Sequence, residues 1–293
     1  MPALVTAQDT RAVKLRVRLA QIAPHLGAIE RNLARHLELI SAARSDGVDL
    51  LVFPELSLTG YYLRDLTPEV AIPIQHDSIQ KLAEVAGLVY VVVGFVERDE
   101  SGHVYCSSAC LTSGRVVYVH RKLYLPTYGM FDEGRYLTAG DQIRIFEGAG
   151  WLGGLLICED LWHLSPPLLL SRQKIDVLVV PACSPARGIM GSRLEAQVAW
   201  EQMIATYARL LQQFIVFCNR VGCEDGVSFW GGSGIWGPGG NELVRAPILA
   251  EVTVDCTIDL RDLHQHRVSV PLLADERDDL TFRELERVMR ERT

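Results

Sequence analysis

From Lys14 to Asp259 the chain alternates short apolar runs with amphipathic stretches, and no linker-like segment interrupts the alternation. That pattern argues for a single α/β domain. Residues 14–20 alternate apolar and polar and read as a strand. After Pro24, the residues Leu26, Ile29, Leu33, Leu37 and Ile40 recur at helical spacing on one face. Residues 48–53 form a second strand that ends at Pro54-Glu55, and a helix around 74–86 leads into an unbroken Val-rich run, 88–96. A run of that kind suits a strand buried on both faces. Residues 103–111 and 115–119 read as a hairpin, followed by an irregular segment, 120–142, whose length is usually a mark of function. A short strand (143–146) precedes an apolar run that stops at Cys158. Ser165-Pro166 reads as an N-cap with Pro at the first helical position, opening a helix to about residue 173. Then follow a strand at 176–181, a long helix at 192–211, a strand at 214–218 and β-rich runs with Gly/Pro turns over 227–258. The boundaries expected are a flexible tail at 1–12, one domain at 13–265 and a polar helical extension at 266–293.

Charge and cysteine usage narrow the partners. With 29 basic and 36 acidic residues the net charge is −7, which argues against nucleic acid or an anionic membrane surface. No apolar run reaches membrane-spanning length and the first residues lack a signal-peptide core, so a cytoplasmic protein is expected. Seven cysteines, an odd number with no CxxC, read as reduced thiols rather than a disulfide framework. No Cys/His cluster has metal-ligand spacing, so neither metal nor cofactor is expected.

Three chemically distinct residues close apolar strands or open the loops after them. Glu55 follows the run 51–54, Lys122 follows the strand ending at Val119, and Cys158 ends its own run within Gly153-Gly154-Leu155-Leu156-Ile157-Cys158-Glu159-Asp160-Leu161-Trp162. A cysteine alone is more often core, and a charge at one strand end is ordinary. Carboxylate, ammonium and thiol together form a possible active site, because parallel strands gather ligands at their carboxyl ends. Glu55 could take the thiol proton and return it to a leaving nitrogen. Lys122 would stabilise thiolate and oxyanion, with the amide N–H of Glu159 as a second donor. Asp160 and Trp162 read equally well as packing residues or as substrate contacts. Gly232-x-Gly234-x-x-Gly237 fits a dinucleotide pattern formally, but Pro238 follows in place of a helix.

Phe53-Pro54-Glu55-Leu56, His120-Arg121-Lys122 and Ile157-Cys158-Glu159-Asp160 resemble, in order and spacing, the three signature blocks of the nitrilase (carbon–nitrogen hydrolase) superfamily. Asn219-Arg220-Val221-Gly222 and the segment from Gly232 to Gly240 resemble later blocks of the same family, so the likeness covers roughly residues 14–260. It implies a four-layer α-β-β-α sandwich and a Glu55–Lys122–Cys158 triad. Within the family the blocks are most similar to the glutamine-hydrolysing domains of glutamine-dependent NAD synthetases. Carried over residue by residue, Glu133 is the second glutamate that positions Lys122 and substrate, and Tyr128 and Ser184 touch substrate. Glu159 and Trp162 complete the candidate substrate set. No Ser-Gly-Gly-x-x-Ser-type phosphate loop is present, so the resemblance implies a stand-alone hydrolase of a small carboxamide. The alternatives are a nitrilase, an N-carbamoyl amide hydrolase or a silent binding protein on the same fold. Members pair across helices near the nucleophile, so a homodimer or higher homo-oligomer is expected, with Leu168-Leu169-Leu170 as one possible contact face.

Overall fold

A strand whose successive side chains enter apolar layers on opposite sides reads as a continuous hydrophobic run. The computed structural model, which describes residues 14–292, uses the Val-rich runs in that way. Val91 and Val93 face one apolar cluster and Val92 another; Leu178 and Val180 likewise oppose Val177 and Val179. These strands lie inside two six-stranded sheets. The first runs, in spatial order, Val252–Asp259, Lys14–Gln21, Leu50–Val52, Tyr90–Arg98, Val104–Thr112 and Arg115–Arg121. The second runs Glu242–Arg245, Gly234–Trp236, Phe214–Asn219, Val177–Ala182, Leu152–Leu155 and Ile145–Glu147. In each, three central strands are parallel and the outer pairings antiparallel.

Three apolar clusters make four layers. Helices Ile29–Ser45 and Asp77–Ala86 bury Leu33, Ile40, Ile79 and Leu82 against the outer face of the first sheet. Leu19, Val52 and Val92 meet Val179, Val216 and Cys218 between the sheets. Helices Ser165–Arg172 and Glu195–Leu210 cover the second sheet with Leu170, Trp200 and Ile204. The result is the α-β-β-α sandwich that the resemblance implied.

Local differences from the sequence reading have simple causes. The strand before the nucleophile ends at Leu155; Cys158 instead opens a 3₁₀ turn, Cys158–Trp162. Ser165 is the first residue of its helix rather than its cap, and the N-cap Leu164 provides no side-chain hydrogen bond. The long helix starts at Glu195, because Ile189–Met190 and Arg193–Leu194 pair as a small hairpin around Gly191-Ser192. A two-residue Gly-Ser connection is a hairpin signal that the helical pattern overshadowed. Of the leucine run, Leu170 is core and Leu169 is exposed. The helix Leu260–Ser269 runs across position 265, and Arg267 ties it to the carbonyls of Ile175 and Gln212. The expected tail at 1–12 lies outside the described residues.

One buried base joins the first helical layer to the loop after Val52. His36 packs on Phe53 with ring centroids 4.0 Å apart. Its Nδ1 lies 2.7 Å from the Asn32 carbonyl and its Nε2 3.0 Å from Ser57 Oγ. A neutral ring satisfies both, with Nδ1–H donating to the carbonyl and the Ser57 hydroxyl donating to Nε2. Burial pushes the imidazole pKa down to about 4. Between that value and the unfolded value near 6.5 the unfolded chain binds the extra proton, so stability falls as pH falls through this window. The expected loss from His36 between pH 8 and pH 5 is about 2 kcal/mol. Denaturant titrations of wild type and His36→Gln at the two pH values should show the variant's pH dependence flatter by about that amount; parallel curves would refute it.

Candidate active site

The polar residues singled out in the sequence meet at the carboxyl ends of the parallel strands. Phe53 N donates to the Val92 carbonyl (2.9 Å), Pro54 ends the pairing, and Glu55 turns inward, almost wholly buried. Leu56 takes up a left-handed backbone (φ 46°) to make that turn. The turn lies so close to the next strand that a Cβ at Gly94 would fall 2.4 Å from Leu56 N in space already filled, so Gly94 cannot be replaced without moving Glu55.

Lys122 follows the edge strand Arg115–Arg121 directly. Its backbone is fixed by N–H to the Cys106 carbonyl (2.8 Å) and by its own carbonyl, which accepts from Gly140 N (2.8 Å). The ammonium is fully buried and donates to Glu55 Oε1 and Glu133 Oε1, each at 2.7 Å. Two of its three N–H donors are thereby used and one is left for a ligand. Burial alone would lower the lysine pKa, but the Glu133 and Glu55 carboxylates outweigh it and hold the pKa well above its ordinary value. Glu133 enters from a 3₁₀ turn, Glu133–Arg135, in the long irregular segment. Its Oε1 also accepts from the Tyr61 hydroxyl at 2.5 Å, while its buried Oε2 has no partner among the described residues. Burial raises the Glu133 pKa to about 7; Lys122 opposes the rise and Glu55 reinforces it.

Cys158 stands half-buried at the head of its turn with φ 47°, a conformation that costs a non-glycine residue about 1–3 kcal/mol and collects at functional sites. Burial, then the Glu55 charge, pushes its thiol pKa well up, against Lys122 and a backbone N–H of Cys183. The resting sulfur is therefore a thiol, and nucleophilic attack needs a base beside it. Glu55 is the carboxylate whose charge acts most on that thiol: its Oε2 accepts from Cys183 N at 2.8 Å, and its Oε1 faces Lys122. The amide of Glu159 precedes the first bond of the turn, Asp160 N to Ile157 O, and so has no acceptor within it.

Asp160, left open between packing and substrate, is a clamp. Its fully buried carboxylate accepts from Ile157 N (3.0 Å), Leu123 N (2.9 Å) and Tyr124 N (3.0 Å), with His120 Nε2 at 2.9 Å. It joins the nucleophile's turn to the lysine's loop. A second brace escaped the sequence reading. Buried Arg220 pairs with Glu224 (2.7 Å), whose other oxygen accepts from the backbone N–H groups of Tyr61 and Tyr62 at 2.8 and 2.7 Å. The pair thereby sets the loop that carries Tyr61 to Glu133. Asn219 and Ser233, from the two late blocks, hydrogen-bond each other inside the fold, and the Asn219 side chain accepts from Ser184 N.

The thiol opens into a cavity of about 540 Å³. All four residues expected to touch substrate line it: Tyr128, Glu159, Trp162 and Ser184. The Tyr128 hydroxyl donates to the Glu159 carboxylate at 2.9–3.0 Å. Trp162 meets Trp200 edge-on, and Ser184 Oγ accepts from Trp230 Nε1 (3.0 Å). Phe131, Arg187 and Glu195 line the same cavity and were not foreseen. Among the described residues no group of three or more His, Cys, Asp or Glu side chains is placed to hold a metal, and no helix is long and apolar enough to cross a membrane.

Comparison with known proteins places this geometry. A glutamine-dependent NAD(+) synthetase of Acinetobacter baylyi is 36% identical over 239 residues, which is 80% of this chain and 42% of that protein. The chain thus spans under half the length of this relative. The solved structure of a glutamine-dependent NAD+ synthetase from Acinetobacter baumannii superposes with a TM-score of 0.77 at 33% identity, covering 86% of this chain and 47% of that one. A carbon–nitrogen hydrolase from Helicobacter pylori shares the fold over nearly its whole length, with a TM-score of 0.80, 21% identity and coverage of 93% and 99%. The carbon–nitrogen hydrolase profile matches residues 16–268, and the chain belongs to that family of enzymes.

Proposed function

We propose that this carbon–nitrogen hydrolase is a cysteine-dependent amidase that converts a small primary carboxamide to carboxylate and ammonia through a thioester on Cys158. The observation that carries the reading is the buried Lys122 ammonium, held at 2.7 Å by both Glu55 and Glu133 beside a thiol that opens into a cavity. As Cys158 Sγ bonds to the amide carbon, Glu55 takes the thiol proton. The oxyanion of the tetrahedral adduct finds the unused N–H of Lys122 and the free amide of Glu159. On collapse the C–N bond breaks, Glu55 returns the proton to nitrogen and ammonia leaves. A water, losing its proton to Glu55, then adds to the thioester carbon, and the C–S bond breaks to give the carboxylate and the thiol. A nitrile would start through a thioimidate with no oxyanion at the first step, and would draw less on this donor pair.

Cys158→Ala should abolish turnover without loss of the fold. Mass spectrometry after brief incubation with a primary amide should show an acyl adduct on the wild-type Cys158 peptide. Rapid nitrile cleavage with no hydrolysis across a broad amide panel would overturn the reading in favour of a nitrilase.

Glu133 supplies a pH signature. Its carboxyl, raised to about 7, must lose its proton to anchor Lys122 as an ion pair. The rate kcat/KM should therefore rise with pH through about 7. Because the buried carboxylates share one ammonium, the limb reports the cluster as a unit. Glu133→Gln should cost on the order of 10²-fold by loosening Lys122, and the limb near 7 should vanish from the residual rate. A near wild-type rate with the same limb would remove Glu133 from the site.

A further inference from the structure

Glu55 is wrapped by thiols as well as by charge. Cys183 N donates to Glu55 Oε2 at 2.8 Å, and the Cys183 thiol donates to the Glu55 backbone carbonyl at 3.1 Å. The same N–H also reaches the Cys158 sulfur. Only the Cα separates that nitrogen from the Cys183 Cβ, so a turn about the Cα–Cβ bond swings one sulfur toward the other. The backbone supports such a meeting. Cys158 and Cys183 follow the carboxyl ends of neighbouring parallel strands, Leu152–Leu155 and Val177–Ala182. Leu155 pairs with Val179, and Leu156 N continues the ladder by donating to the Val179 carbonyl (3.1 Å). Adjacent strands lie about 4.7–4.9 Å apart, inside the range of Cα separations, roughly 4.4–6.8 Å, that a disulfide bridges. Both cysteines line the cavity of the candidate site, and no other cysteine lines it. They differ in access: Cys158 is half-buried, whereas Cys183 is only 1% exposed. Cys106 also approaches Glu55, its sulfur 3.6 Å from Oε1, but it is packed away from the cavity with Leu56, Val96 and Ile157.

We infer that Cys158 and Cys183 form a reversible thiol–disulfide pair, in which a hydroperoxide oxidises Cys158 and Cys183 closes the oxidised sulfur into a disulfide. This goes beyond amide hydrolysis. In the first step the Cys158 sulfur attacks one peroxide oxygen and the O–O bond breaks. The thiol proton passes by way of Glu55, the carboxylate whose charge acts most on it, to the leaving oxygen. With hydrogen peroxide the products are a Cys158 sulfenic acid and water, so sulfur is oxidised and the peroxide reduced. In the second step the Cys183 sulfur attacks the Cys158 sulfur and the S–O bond breaks. The Cys183 proton leaves with the hydroxyl as a second water. Access sets this order, since the thiol that opens into the cavity meets the oxidant and the buried one is spared. A dithiol reductant returns both thiols by exchange. Under the proposed hydrolysis the disulfide withdraws the nucleophile without destroying it.

The test treats the full chain with hydrogen peroxide, blocks the remaining thiols with iodoacetamide and maps the cysteine peptides without reduction. A linked Cys158–Cys183 peptide should appear at the expense of both labelled peptides, and dithiothreitol should restore both. In Cys183→Ser the Cys158 sulfenic acid should persist long enough for dimedone to trap it. Continued peroxide should then carry it to sulfinic and sulfonic acids, so the Cys158 thiol recovered by dithiothreitol should fall about 10-fold below wild type. Four outcomes would overturn the pair: Cys158 untouched by excess peroxide, over-oxidised Cys158 beside a free Cys183 thiol, Cys158 joined to another cysteine, or full recovery in Cys183→Ser. Should that variant not fold, the wild-type map alone decides. None of these measurements reads amide turnover, so their failure leaves the amidase reading standing.

Discussion

A lysine ammonium without solvent contact survives only when its partners offset the desolvation, which for a single buried ion is several kcal/mol. Lys122 meets that condition with two carboxylates on two of its N–H donors. The solution creates its own difficulty, because two carboxylates about one ammonium leave a net negative charge in a dry site. The structure spreads that charge. Glu55 gains a backbone N–H from Cys183, and Glu133 gains the Tyr61 hydroxyl. Glu133 is still driven up toward neutrality, and the Cys158 thiol is kept protonated by the same field together with its burial. Glu133, Lys122 and Cys158 are thus one electrostatic unit, and under the proposed mechanism the base, the oxyanion donor and the nucleophile share it.

Holding such a unit requires backbone that is fixed in unfavourable shapes. Leu56 and Cys158, beside or at the reacting groups, both have positive φ. Their neighbours pack together: Leu56 and Ile157 share one apolar cluster with Val96 and Cys106. Asp160 then ties the nucleophile's turn to the lysine loop through three backbone N–H groups and His120. Strain of this kind persists only where the surroundings over-determine it. Here a buried carboxylate with every acceptor position in use supplies that excess of constraint.

What the sequence made legible follows from what local pattern can encode. The Val-rich strands, the hairpin around Ser113-Gly114 and the convergence of Glu55, Lys122 and Cys158 were readable, because periodicity and strand-end position are local properties. The layering came from resemblance. Asp160 and Glu224 could not be assigned from the chain, since a carboxylate that accepts distant backbone N–H groups looks like any solvated acid until the loops are in place. Gly94 was invisible for a related reason: its missing Cβ matters only because Leu56 approaches from another segment. The sequence reading carries the strand on to Cys158, past its end at Leu155, because Leu155-Leu156-Ile157 is uniformly apolar, and apolarity marks burial rather than backbone shape.

The two sheets divide the candidate site between them, and this makes the core between them part of what positions it. Glu55 and Lys122 hang from the first sheet; Cys158, Cys183 and Ser184 hang from the second. The packing of Leu19, Val52 and Val92 against Val179, Val216 and Cys218, with the Cys183–Glu55 and Asp160 hydrogen bonds, sets the distance and angle at which the two sets meet. Cys218 marks how close the sheets come, with its sulfur 3.2 Å from the Val52 carbonyl across the interface. Protein interiors are packed like organic crystals, so a change of one methylene there shifts the sheets rather than vanishing into slack. In the proposed mechanism the thiol reaches a carbonyl carbon while Glu55 reaches the thiol, and that geometry tolerates little of the shift. The interlayer core is therefore constrained by geometry as well as by stability, even at positions that touch no substrate.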